Sequence, residues 1–172
     1  RLSSVEAFTP TGWIPVPPLP HAADRAAGCE LNGRLYVMGG VLCNKLQVLE
    51  MSEENEFTWT VKADLPGERY GAASVAHEGK IWLFAGTSVD IYDPASDSWS
   101  AGPALPHRKG LFDGFFKAAP YKAATHEGQV RLFSLRGPEL AYRDGAWLRI
   151  TGGLEFGVRV NVCDAFESVL LG

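Results

Sequence analysis

The chain has 172 residues, 46% hydrophobic and 21% charged, a composition that excludes wholesale disorder and allows one ordinary domain. Sixteen basic against twenty acidic residues give a net charge of -4, which argues against a surface built to neutralise a nucleic-acid backbone. No stretch approaches the ~20 apolar residues of a membrane helix, so neither nucleic acid nor membrane is expected as a partner.

Nineteen Gly and five Trp in so short a chain point to many short strands joined by tight turns. The opening Arg1-Leu2-Ser3-Ser4 carries neither an initiator Met nor a secretion signal and reads as a segment of a longer chain. Cys29, Cys43 and Cys163 are odd in number and widely spaced, which fits neither a disulfide framework nor a zinc knuckle. A reducing, cytoplasmic compartment is expected on that ground.

A single strand is expected at 10–16. It holds Trp13, followed six residues later by Leu19-Pro20. The first full unit, 24–62, opens with a strand that ends in the two-residue hairpin turn Asn32-Gly33. The apolar run Leu35-Tyr36-Val37-Met38 reads as a buried strand closed by Gly39-Gly40. A third strand follows from Leu46 to Met51, then an acidic turn, then a fourth strand carrying Trp59. The second unit, 70–102, repeats this with Leu65-Pro66, the turn Glu78-Gly79, Ile81-Trp82-Leu83-Phe84, Ala85-Gly86, and a strand from Val89 to Tyr92. Asp93-Pro94 turns the chain into the strand of Trp99. The Trp, the Leu-Pro, the turn Gly and the closing Gly all shift by 46 residues between the two units.

The third unit, 117–150, is degraded. Pro106 lies 22 residues before the turn Gly128, where the earlier units have 13, so nine residues are inserted. No Gly pair ends Leu132-Phe133-Ser134-Leu135, and Trp147 lacks a following Leu-Pro. Val158-Arg159-Val160-Asn161-Val162 reads as the opening of a further blade, with a strand at 156–166.

The Leu-Tyr-Val-Met-Gly-Gly run at 35–40, Ile-Tyr-Asp-Pro at 91–94 and the spaced Trp13, Trp59 and Trp99 resemble kelch repeats. The resemblance implies an all-β, kelch-type β-propeller of four-stranded antiparallel blades, with the whole chain as one propeller segment. A four-stranded sheet cannot bury both faces alone, and radial stacking supplies the cover. A period of 46 in 172 residues allows fewer than four units, whereas propellers have about four to eight blades. The ring is therefore completed by blades elsewhere or by a second copy, or it is atypically small.

Little catalytic chemistry is legible. His21 and His107 follow a Leu-Pro, and His77 and His126 precede a Glu-Gly turn, so repeat position accounts for all four. The metal-binding, nucleophile-elbow and phosphate-loop motifs are absent from the sequence, and no cofactor or metal is expected. Kelch-type propellers also include copper oxidases, sialic-acid epimerases and iron-binding plant proteins. No residue set here matches the first two, and the Glu-x3-Asp-x3-His pattern of the third is missing.

Function on such a scaffold belongs to its loops, because the sheets are committed to packing. The loop-lined face is expected to hold Arg25, Asn44, Lys45, Arg69, Arg108, Lys109, Phe112 and Phe115, the last four in the inserted segment. The resemblance implies that this face binds another protein or peptide, and one form of that role is substrate recognition for a ubiquitin-ligase adaptor. The alternatives are a sugar-metabolising enzyme of the epimerase or oxidase kind and an actin-associated scaffold. If the inserted loop is the binding face, changing Arg108 and Lys109 together to Glu leaves the fold intact, as read by circular dichroism, and abolishes partner capture.

Overall fold

The computed structural model describes residues 1–52, 56–106, 121–134 and 139–150, and every regular element among them is a β-strand. The chain begins with a two-stranded hairpin, β1 (Val5–Thr9) and β2 (Gly12–Val16), in which Phe8 stands opposite Trp13. The strand expected at 10–16, unpaired or completing a blade, corresponds to Gly12–Val16, the second arm of this hairpin. Its partner Val-Glu-Ala-Phe-Thr has neither an apolar run nor a glycine landmark to mark it in the sequence. The expected strand at 156–166 lies outside the described residues.

Three four-stranded antiparallel sheets follow. Blade 1 is β3 (Ala27–Leu31), β4 (Arg34–Met38), β5 (Leu46–Met51) and β6 (Phe57–Lys62). Blade 2 is β7 (Ala73–His77), β8 (Lys80–Ala85), β9 (Ser88–Asp93) and β10 (Ser98–Ala101). Blade 3 is β11 (Tyr121–His126), β12 (Gln129–Ser134), β13 (Glu139–Arg143) and β14 (Ala146–Ile150). Strand order in each sheet follows chain order, as meanders with short turns require. Both central residues of the first turns are left-handed: Asn32 and Gly33 have φ of 54° and 74°, and Glu78 and Gly79 have 49° and 72°. That is the hairpin conformation whose twist matches the flanking strands, and glycine meets it without steric cost.

The first strands, β3, β7 and β11, lie side by side. Side-chain hydroxyls tie them together: Ser74 Oγ donates to the Gly28 carbonyl at 3.0 Å, and Thr125 Oγ1 donates to the Ala76 carbonyl at 2.8 Å.

The two faces of β8 explain why its apolar run is continuous. Ile81 and Leu83 pack with Tyr36, Met38, Leu46 and Val48 of blade 1. Trp82 and Phe84 pack with Val130, Leu132 and Leu140 of blade 3. A strand covered on both sides needs apolar residues at every position.

A tryptophan on each fourth strand fastens one blade to the structure before it. Trp59 Nε1 donates to the Pro17 carbonyl at 2.7 Å, Trp99 Nε1 to Ala63 at 3.0 Å, and Trp147 Nε1 to Pro103 at 2.9 Å. Each acceptor lies four residues beyond the preceding tryptophan, at 13, 59 and 99. The Ala63 peptide is held from both ends, because its N–H donates to Asp97 Oδ1 at 2.9 Å. That bond and the Tyr92 hydroxyl, which donates to the same oxygen at 2.8 Å, hold the Asp97 carboxyl below its ordinary range. Burial, reinforced by Asp97, pushes the Tyr92 phenol up.

Trp99 fastens by packing as well as by its N–H, since its ring lies 5.2 Å from that of Tyr92. Trp99→Phe keeps most of the ring but loses the indole N–H, and urea denaturation should show a loss of about 1 kcal/mol. Trp99→Ala also removes the packing and should cost about 3 kcal/mol; an unchanged midpoint for both variants would refute this role.

Candidate functional site

At one end of the blades, the turn between the second and third strands meets the connections that lead from blade to blade. In blade 1 much of the meeting is made by backbone. Gly40 N–H donates to the Arg69 carbonyl at 2.7 Å, Val41 N–H to Asp24 at 2.9 Å, and Gly71 N–H to Arg25 at 2.8 Å. Gly39 and Gly40 have φ of 70° and 118°, and the crowding is as important as the angles. A Cβ at Gly39 would overlap the Arg69 carbonyl, and one at Gly40 would lie 2.9 Å from the Asp24 carbonyl. The glycine pair therefore lets the connections before and after blade 1 press against its loop.

The Leu-Pro landmarks belong to the same construction. Leu65 N–H donates to the Asn44 carbonyl at 2.8 Å, and Leu105 N–H donates to Thr87 at 3.0 Å, so each chain returns across its own blade's loop. Both leucine side chains are buried. The proline that follows each one has no N–H to leave unpaired.

One register position on the third strand clamps the incoming connection. Gln47 of β5 is fully buried, and its amide brackets the His21 peptide: Oε1 accepts from His21 N–H at 2.7 Å and Nε2 donates to the His21 carbonyl at 2.9 Å. Asp90 of β9 stands at the equivalent position, since Gln47 pairs with Val37 and Asp90 pairs with Leu83. Its carboxylate receives Arg69 Nε at 2.7 Å.

The expected site residues fall around this knot in different states. Arg25 is exposed, with its own carbonyl engaged by Gly71. Arg69 faces the same region, but its guanidinium is largely buried on Asp90. Lys45 Nζ bonds both oxygens of Asp64, at 2.8 and 2.7 Å, and Asn44 Nδ2 reaches the same carboxylate at 3.5 Å. Arg108, Lys109, Phe112 and Phe115 lie outside the described residues. So does His107.

Sequence reasoning did not single out Leu42. It is 66% exposed at the loop tip, with φ of 52°. Arg25 has φ of 55°. Left-handed backbone costs a non-glycine residue roughly 1–2 kcal/mol, and such strain gathers at functional positions. Each of the two residues follows directly in the chain on one partner of the Val41 N–H to Asp24 bond, and both are exposed. No residue type in the sequence announces a left-handed leucine, so only the backbone angles reveal this pair.

The remaining reactive groups offer little chemistry. Cys43 is buried, and burial pushes the Cys29 thiol up to about 12 against an opposing hydrogen bond from Ser74, so it stays a thiol near neutral pH. His77 packs edge-on to Trp82 at 5.6 Å, and His126 stands on exposed surface. Among the described residues no three His, Cys, Asp or Glu side chains gather as metal ligands.

No family model matches the chain. It is 32% identical over 115 residues to Kelch-like protein 35 of Mus musculus, covering 62% of this chain and 20% of that protein. It is 23% identical over 162 residues to the F-box protein AFR of Arabidopsis thaliana, covering 84% and 43%. The Kelch repeat and BTB domain-containing protein 12 of Danio rerio is 28% identical over 134 residues, covering 60% and 21%. The chain thus spans about one fifth of the length of the Kelch-like and BTB relatives. Among solved structures, YjhT shares the fold with a TM-score of 0.53 at 19% identity, over 68% of this chain and 35% of that one.

The glycine knot yields a paired test. Gly39→Ala meets both a left-handed backbone and the Arg69 carbonyl, and should destabilise by about 2–4 kcal/mol in thermal denaturation. Gly33→Ala has φ of 74° but open space around its Cβ, and should cost only about 1 kcal/mol. Equal effects would show that crowding at the loop face is unimportant.

Proposed function

The chain is a kelch-repeat protein, and on that premise we propose that the blade end carrying Arg25, Leu42, Asn44 and Lys45 is a docking face for another protein. The observation that carries this reading is the exposed Arg25–Leu42 pair, held in strained backbone by a hydrogen-bonded knot. Backbone already held in position loses less freedom on binding, which favours affinity. A relative named for kelch repeats with a BTB domain, and one named for an F-box, support a binding module over an enzyme.

In the finer form of the proposal, the captured protein is the substrate of a ubiquitin-ligase adaptor. Arg69 then acts as a brace, because its charge is shared with Asp90. Arg108, Lys109, Phe112 and Phe115 belong to the reading on sequence grounds.

The test compares two variants of matched fold. Arg25→Glu with Leu42→Ser alters the loop face, whereas Thr58→Lys adds a charge to the exposed outermost strand of blade 1. With a partner identified by cross-linking, the first should weaken binding at least about tenfold in titration calorimetry, and the second should leave it unchanged. Wild-type affinity in the loop-face variant would end the proposal.

A further inference from the structure

A leucine and two histidines share one place in the three blades. Leu31, His77 and His126 each end a first strand and stand opposite Arg34, Lys80 and Gln129 across the hairpin turn. Leu31 is buried in the apolar core that joins blades 1 and 2. His77 is almost as well covered, with 9% of its side chain exposed, and it packs on Trp82, which faces blade 3. A polar ring thus stands in blade 2 where blade 1 has a hydrocarbon.

Covering an imidazole costs free energy unless its nitrogens are hydrogen-bonded. Among the described residues neither ring nitrogen of His77 has a hydrogen-bond partner. Glu78 Oε1 lies 3.9 Å from Nε2, beyond hydrogen-bond reach. The ring lines a shallow cavity of about 370 Å³ whose wall also includes Glu78, Leu31, Ala76 and Thr125. The Thr125 hydroxyl is already committed to the Ala76 carbonyl.

Glu78 stands at the rim with 83% of its side chain exposed. The carboxylate at the corresponding turn of blade 3, Glu127, lies 4.0 Å from Arg131. Glu78 has no Lys or Arg at such a distance among the described residues, since Lys80 is held by Asp93 at 2.9 Å. The cavity therefore offers two acceptors beside an apolar wall: the carboxylate and, in the neutral ring, one imidazole nitrogen.

Acceptors 3.9 Å apart can both lie about 2.9 Å from one nitrogen donor placed between them. A lysine ammonium is compact and carries three donors, and its methylene stem can rest on apolar surface while the charge stays at the rim. A planar guanidinium is better matched to the two oxygens of a single carboxylate.

We infer that this cavity binds the ammonium of a lysine side chain on a partner peptide. Glu78 and His77 receive the charge, and Leu31 and Ala76 receive the stem. The site lies at the opposite end of the blades from Arg25 and Leu42, because each second strand runs from these turns toward the loop end. It is therefore a contact separate from the docking face.

The probe is Nα-acetyl-lysine methylamide, titrated at pH 8 while NMR follows the amide signals of Gly79 and Thr125. A saturating shift with a dissociation constant on the order of millimolar is expected for a single side chain. Nα-acetyl-norleucine methylamide keeps the stem without the charge and should bind at least about tenfold more weakly. Glu78→Gln should weaken the lysine probe by a similar factor and leave the circular dichroism unchanged. His77→Leu installs the residue that blade 1 carries, and should remove binding without lowering the thermal midpoint. Should that variant fail to fold, Glu78→Gln carries the test. Equal binding of the two probes, or lysine binding that survives both substitutions, overturns the inference. So does a lowered midpoint in His77→Leu, which would give the ring a structural task, or the absence of any shift at tens of millimolar probe, which would leave the cavity to water.

Discussion

A sheet of four short strands has two faces and cannot shield either by itself, so every blade in this protein depends on its neighbours for cover. The middle blade shows the result most fully. Ile81 and Leu83 are solvated by blade 1 side chains, Trp82 and Phe84 by those of blade 3, and all four are buried. Neighbouring blades must then be held in register, and a chain that runs between packed sheets must satisfy its own peptide groups. The tryptophan indoles on the fourth strands meet both demands, since each accepts no bond and gives one to a connection carbonyl.

The same accounting shapes the loop end. The connections cross there under crowding that admits only glycine at Gly39 and Gly40, and backbone hydrogen bonds join them to the loop. Side chains at this end separate into two kinds. Gln47 and Asp90 face inward and hold the connections, whereas Arg25 and Leu42 face outward from left-handed backbone. A face assembled in this way is held by hydrogen bonds where it is anchored and mixes polar with apolar side chains where it is exposed.

The first and last described sheets depart from the repeat in different ways. On the hairpin side the aromatic pair persists with both rings exposed. On the blade 3 side an arginine interrupts the apolar pattern of the second strand. Repetition makes these departures interpretable, because the inner blades show what each register position contacts when it is filled.

By itself the sequence determined the all-β repeat architecture, because a shift of 46 residues in four landmarks is a property of spacing, and the turn glycines and apolar runs are local signals. It also placed the tryptophans on fourth strands, although not their acceptors. Tertiary structure alone decided which strand paired with 10–16, since Val5–Thr9 carries no apolar run and becomes a strand by joining Gly12–Val16. It alone decided that Arg69 and Lys45 are bound to Asp90 and Asp64, while Arg25 is exposed. Charge is visible in a sequence, but the partner of a charge lies 19 or 21 residues away along the chain and is set by how the connections cross. The exposed Leu42 has the same origin: a backbone angle fixed by the Gly40–Cys43 turn, for which the side chain itself supplies no preference.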